Sequence, residues 1–240
     1  MLKHDISITP QEVYASSATQ GTDLGALATT GDGRYFRYAL GTGTAMVAGK
    51  LYQNTPLDAT NWQNLTVSSS SAAGLYTVTC GSSVSIVANL MSGGILTIIA
   101  GGGAGFSYKI KSHPVAAATG ITFTLEEPLQ VATVAGTTVF NVTPNLYSNV
   151  VINSAIPMTG VPVGVAVANT PANQYCWLQV KGLAGVYSDA VNAGAAMAPS
   201  LGTTGAIGVG QIAVGSLCIV GYAVAVTTAN KYNPVLLTLP

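Results

Sequence analysis

The chain has 240 residues, 49% of them hydrophobic, and its eight Lys and Arg balance its eight Asp and Glu. At 7% charged, against about 25% in ordinary soluble domains, it has too little charge to solvate a monomer's surface, so much of that surface is expected to be buried against partner chains. Zero net charge without a basic run argues against nucleic acid as a partner, and glycine breaks the most apolar stretch, "LMSGGILTIIAGGGAGF", before it reaches a spanning length of about 18 residues, which argues against a membrane.

From the N-terminus, residues 1–30 are polar, carry scattered charge and lack sustained alternation. They read as an extended arm ordered by neighbouring chains, or as a disordered tail. A short helical turn is expected after Thr9-Pro10, because Pro suits a first helical position. The opening "MLKHDISITPQEVYASS" lacks the apolar core of a signal peptide.

A second segment, 31–160, begins with "RYFRYAL" and "TAMVAGKLYQ", for which Gly41 and Gly43 suit a hairpin turn. The runs "LYTVTC", "SVSIVANL", "ILTIIA", "FSYKIKS", "GITFTLEE" and "TTVFNV" follow, each alternating or β-branched as strands are. A boundary is expected near "NSAIPMTGVP", where prolines and a glycine cluster. The third segment, 161–240, holds "VGVAVAN", "YCWLQV", "CIVGYAVAV" and "PVLLTL". The fold class expected is all-β: a small β-barrel or sandwich of short strands and hairpins, with an extended N-terminal arm and little helix.

That third segment repeats a phrase. "VGVAVANTPANQY" starts at Val163, and "VGYAVAVTTANKY" starts 57 residues later at Val220 (221 − 164 = 57, glycine to glycine). Gly164, Ala166, Thr170, Asn173 and Tyr175 match Gly221, Ala223, Thr227, Asn230 and Tyr232. Each copy reads as strand, turn, strand, with Asn supplying the left-handed residue of the turn. Two such hairpins are expected to pair into one small barrel and so remove exposed strand edges.

Residues that carry chemistry are few. Cys80, Cys176 and Cys218 form no CxxC pair and read as reduced, buried thiols. "GGGAGF" is followed by a strand pattern rather than a helix, so it reads as a turn and not a phosphate loop. His4 and His113 are far apart, with no metal-ligand spacing. Glu126 and Glu127, as strand neighbours, are expected on opposite faces, and Asp32 is expected to pair with Arg34 or Arg37 in a turn. Trp177 reads as core or interface, and Trp62, in the polar "DATNWQNL", as an exposed anchor. No catalytic constellation, cofactor site or metal site emerges, so the chain reads as non-enzymatic.

The succession "GDGRYFRYALGTGTAMVAGKLYQ", "SYKIKSHPVAA", "TLEEPLQV", "PVGVAVANTPANQYCWLQVKG" and "VGYAVAVTTANKYNPVLLTL" resembles tailed-phage virion structural proteins. The portion from about residue 161 is similar to small capsid decoration (cement) proteins, in which a "VGVAL…AG-x-Y" strand-turn-strand recurs at both ends of a small barrel. Here "AN" replaces "AG", and the middle segment is longer. The resemblance implies a protein of the capsid exterior, assembled in the host bacterial cytoplasm, that clamps neighbouring copies of the major capsid protein. It also implies a homo-oligomer, expected as a trimer. Interface residues are expected in the arm and at Arg34, Tyr35, Arg37, Trp62 and Tyr108. Two alternatives stand beside it: a receptor- or glycan-binding head fibre or tail component, using aromatics around Trp62, and a hydrolase built on Asp32, Glu126 or His113.

Overall fold

Residues 6–81, 85–116, 120–155, 158–209 and 218–240 are described by a computed structural model. Within them the chain is all-β, with one 3-10 turn (Glu12–Tyr14) and one helical turn, α1 (Ala59–Trp62). It divides into two units. One is discontinuous, residues 1–56 with 146–240, and the other, residues 57–145, is inserted into it. The divisions expected near residues 30 and 160 therefore differ from those in space. A Pro/Gly cluster marks a local turn, whereas an insertion leaves and re-enters the same sheet without a change in composition.

Four strands precede the insertion: β1 (Ile6–Ser7), β2 (Leu27–Thr29), β3 (Tyr35–Leu40) and β4 (Leu51–Gln53). The insertion contributes β5 (Leu65–Ser69), β6 (Thr77–Cys80), β7 (Ile95–Ala100), β8 (Ser107–Ser112), β9 (Ile121–Leu125) and β10 (Val139–Thr143). These close into an antiparallel barrel in the order β10-β5-β6-β9-β8-β7. Alternate residues point inward, so Leu96 and Ile98 of β7, Tyr108 and Ile110 of β8, and Ile121, Phe123 and Leu125 of β9 fill its core. "GGGAGF" is the turn between β7 and β8; a Cβ at Gly101 would come 2.7 Å from the Thr137 carbonyl, which explains glycine there. "SVSIVANL" includes residues 83–84, which lie outside those described. Its described part makes only an isolated bridge, Ile86 to Ala116, before a turn at Asn89.

After the insertion come β11 (Val151–Ile152), β12 (Pro162–Ala166), β13 (Tyr175–Ser188), β14 (Ala196–Pro199), β15 (Ile207–Val209), β16 (Gly221–Ala223) and β17 (Lys231–Thr238). With β3 and β4 they form two five-stranded rings that share β13. In the first ring β3 pairs with the first half of β13, β13 with β12, β12 with β4, and β4 with β11. A parallel bridge from Val150 to Gly41 returns the chain to β3. In the second ring the later half of β13 pairs with β17, β17 with β16, β16 with β14, and β14 with β15. Ile207, parallel to Ser188, closes it.

Register shows that the rings are copies of one plan. In β12 and β13, Val165 faces Gln179 and Ala166 faces Leu178; 57 residues on, Tyr222 faces Leu236 and Ala223 faces Val235. Gly164 opposite Tyr52 becomes Gly221 opposite Met197. Ile152 opposite Tyr52 becomes Val209 opposite Met197. Gly49 (φ 73°) donates its N–H to the Ala166 carbonyl, and Gly194 (φ 78°) donates to that of Ala223. Buried positions coincide as well: Ala39, Tyr52, Val150, Ala166 and Leu178 correspond to Val186, Met197, Ile207, Ala223 and Val235. The second ring joins β14 to β15 through residues 200–206, and the first ring carries the inserted barrel in that place. A hydrogen bond from the Thr55 hydroxyl to the Asn149 carbonyl brings the two ends of the insertion together.

Three expectations are corrected here. The repeated phrases do form hairpins whose turns carry Asn173 and Asn230, both at φ 58°. They do not pair into one barrel, however, because each ring takes one hairpin. "RYFRYAL" and "TAMVAGKLYQ" form no hairpin either: β3 pairs with β2 and β13, and β4 pairs with β11 and β12. Finally, the described part of the arm is ordered by its own chain. Ile6, Ile8, Val13, Leu24 and Ala28 pack on Phe36, Tyr38 and Trp177. β2 adds to the edge of β3, and β1 runs parallel to β2. The turn expected after Pro10 is present, closed by a reciprocal cap in which the Thr9 N–H donates to the Glu12 carboxylate (2.7 Å) and the Glu12 N–H to the Thr9 hydroxyl (3.3 Å).

Candidate interaction surface

Alternation along β13, β16 and β17 buries one set of side chains in the second ring and turns the other set outward. Leu183, Leu236 and Tyr222 lie side by side across the three strands and are exposed. Val224 and Pro234 continue the same outward face, joined by a hydrogen bond from the Val224 N–H to the Pro234 carbonyl (3.3 Å). Beside this face lies an open groove of about 560 Å³, lined by Tyr14, Arg34, Leu183, Gly185, Asn169 and Tyr232. Its floor is small by necessity, since a Cβ at Gly49 would meet the Tyr232 ring at 2.6 Å.

Of the residues expected at an interface, Arg34 and, from the arm, Tyr14 border this groove. The Arg34 guanidinium holds the Asp32 carboxylate at 2.8 Å and sits 5.7 Å from the centre of the Phe36 ring. Arg34 first, and then the Thr30 hydroxyl at 2.6 Å, hold the Asp32 carboxyl well below the ordinary carboxylate range. Tyr35 is half-buried beneath the Lys181 ammonium, 5.5 Å from its ring centre. Arg37 is turned inward: its Nη1 donates to the Gly25 carbonyl (2.8 Å), which ties the N-terminal segment to the first ring. Trp62 and Tyr108 are not presented to a partner at all, for both are buried in the inserted barrel. α1 follows Asp58, whose carbonyl accepts the Trp62 N–H (3.1 Å), and this turn brings the indole into the core. The Tyr108 hydroxyl accepts the Gln130 N–H at 3.0 Å. Burial of Trp62 removes the exposed aromatic on which the glycan-binding alternative rested.

The groups weighed for catalysis have structural occupations. His113 is buried; its Nε2 accepts the Met91 N–H (3.0 Å), so its Nδ1 carries the proton and donates to the Pro114 carbonyl (2.9 Å). Glu126 and Glu127 converge on Lys109 instead of facing apart. Glu126 pairs with its ammonium (2.9 Å), and Glu127 accepts its backbone N–H (3.1 Å), because the chain bends just after β9. Cys80, Cys176 and Cys218 are free thiols, and burial pushes Cys80 and Cys176 up to about 11. His4 lies outside the described residues. Among those described, no group of three or more His, Cys, Asp or Glu is placed to hold a metal, and no helix is long and apolar enough to cross a membrane.

The exposed face of the second ring had no signature in the sequence. Its residues alternate with core residues like those of any half-buried strand, and only the pairing across β13, β17 and β16 gathers them. Comparisons of the chain with protein-family models, with characterised proteins and with solved structures find no match.

Proposed function

We propose that this chain is a non-enzymatic structural protein of a phage virion, which binds the outer capsid surface and cements neighbouring copies of the major capsid protein. One observation carries this reading: a chain with only 7% charged residues exposes large apolar side chains, among them Val115, Val131, Leu183, Tyr222, Val226 and Leu236. Such a surface is completed by burial against other chains, either copies of itself in a homotrimer or the shell. Its resemblance to decoration proteins supplies the kind of shell. Cementing follows from mass action, since a protein that binds only the assembled lattice stabilises that lattice, and symmetry-related sites reinforce one another through avidity.

The experiment is co-sedimentation of the purified chain with expanded, undecorated capsids. The chain is expected in the pellet at micromolar concentration, with saturation at a fixed number of copies per shell. A chain that stays in the supernatant overturns the reading.

A further inference from the structure

The two rings carry equivalent outer positions and treat them differently. On the first ring, Phe36 and Trp177 are 0% and 8% exposed because the N-terminal segment lies over them. β2 pairs along the outer edge of β3, with Ala28 opposite Phe36. Tyr38 extends that pairing: its N–H donates to the Ala26 carbonyl (3.1 Å) and its carbonyl accepts the Gly25 N–H (2.8 Å).

The equivalent positions on the second ring follow from register. Leu40 faces Tyr175 as Tyr187 faces Tyr232, so Phe36 corresponds to Leu183, Tyr38 to Gly185, and Trp177 to Pro234. Here no strand of the described residues lies over them, although Gly49 approaches the Gly185 carbonyl and the Tyr232 ring. Leu183 is 55% exposed, Tyr232 56%, and the neighbouring Leu236 and Tyr222 46% and 42%. The strand edge is open too. Pro234 has no N–H and turns its carbonyl to Val224, so Gly185 directs its own backbone groups away from β17. That is the side on which β2 lies in the first ring. Two residues further, the Tyr187 N–H on this side reaches the Gly49 carbonyl (2.8 Å), whereas Gly185 is paired in register only with Pro234 of β17, on the opposite side.

We propose that this face is a docking site for an extended, uncharged segment of another protein, which pairs with the second half of β13 as β2 pairs with β3. The first ring defines the chemistry of the occupant. Its own cover, "LGALATT" (residues 24–30), is an uncharged strand with small apolar side chains. No charged side chain stands in the row of Leu183, Leu236 and Tyr222, and Arg34, which borders the groove, is already paired with Asp32, so a charged occupant loses its hydration without gaining a free partner. The groove beside the row, about 560 Å³ and reaching Leu183 and Gly185, leaves room for several residues of such a strand. The chain's own segment is already engaged on the first ring, so the occupant comes from another molecule. This inference stands on the internal duplication and is independent of the virion reading.

The test uses the full chain and a fluorescein-labelled synthetic peptide of residues 24–31, "LGALATTG". Fluorescence anisotropy is expected to show saturable binding. Leu183→Asp and Leu236→Asp, both at exposed positions and each checked for an unchanged circular dichroism spectrum, should weaken it about tenfold or more, roughly 1.4 kcal/mol. A peptide N-methylated at the position of Gly25, whose N–H donates to the Tyr38 carbonyl in the first ring, loses that edge hydrogen bond and should also bind more weakly. No saturable binding up to about 1 mM, where the binding free energy falls to roughly 4 kcal/mol, overturns the proposal. So does binding indifferent to both substitutions. A face-to-face dimer that Leu183→Asp converts to monomer, seen by sedimentation equilibrium, assigns the face to a second copy and equally overturns it.

Discussion

Val13→Asp is expected to lift the part of the N-terminal segment around Val13 from the first ring while leaving β2 paired and both rings folded. Val13 is 1% exposed and packs in one cluster with Trp177 and Tyr38. Burial of a valine contributes about 1.5–3 kcal/mol, and a carboxylate in its place adds a desolvation cost with no partner to offset it. Further along, β2 and the Arg37 bond hold the segment. Next to Val13 it is held by the reciprocal pair between Ser17 and Tyr175, at 3.0 and 2.8 Å, worth about 0.5–1.5 kcal/mol per bond, and by an exposed Ser16–Gln174 hydrogen bond. The loss at Val13 thus exceeds what those bonds return, and detachment is the cheaper outcome. Trp177 then meets water. Trp62, buried in the inserted barrel, supplies a constant background, so a red shift of tryptophan emission reports Trp177 alone. Amide exchange at Ser17 and Tyr175 should quicken in parallel. Unchanged emission together with unchanged protection would refute the cover described here.

Replacing residues 57–145 with the short connection of the second ring, "SLGTTG" (residues 200–205), should leave a β-rich chain with one cooperative thermal transition; loss of the β spectrum by circular dichroism counts against the duplication. His113→Phe leaves the buried Met91 N–H unpaired and should cost the inserted barrel about 1–3 kcal/mol in urea unfolding. Asn173→Val and Asn230→Val each force a β-branched residue to φ near 58° and should destabilise by about 1–2 kcal/mol, with Asn→Gly at the same sites much milder. In the native protein at pH 8, Cys80 and Cys176, pushed up to about 11 by burial, stay protonated and should resist a thiol reagent, while the less buried Cys218 reacts first. Mass spectrometry of the labelled peptides checks the order.

The strands were the most legible part of the sequence. "ILTIIA" coincides with β7, and "RYFRYAL" contains β3, because period-two alternation is a direct consequence of the pleat. The duplication was legible only where residue identity survived, at Gly164/Gly221, Ala166/Ala223 and Asn173/Asn230. Elsewhere the two rings share pairing and burial but not residues: Tyr52 and Met197 hold equivalent places, as do Val150 and Ile207. An inserted barrel separates the first ring's two halves, so no fixed spacing runs through the whole copy. Trp62 misled for a local reason, since polar neighbours surround an indole that one helical turn carries inward. Arg37, by sequence pattern an outward contact, bonds instead to the Gly25 carbonyl of a segment whose polar composition resembles a free arm.

The most direct test of the proposed role is a cryo-electron-microscopy reconstruction of expanded, undecorated capsids incubated with the purified chain. Added density is expected on the outer surface at symmetry-related positions, with the row of Leu183, Leu236 and Tyr222 turned toward a neighbouring protein. Capsids that stay bare at saturating concentration contradict the cementing role, and bound copies with that row facing solvent contradict its use as the docking face.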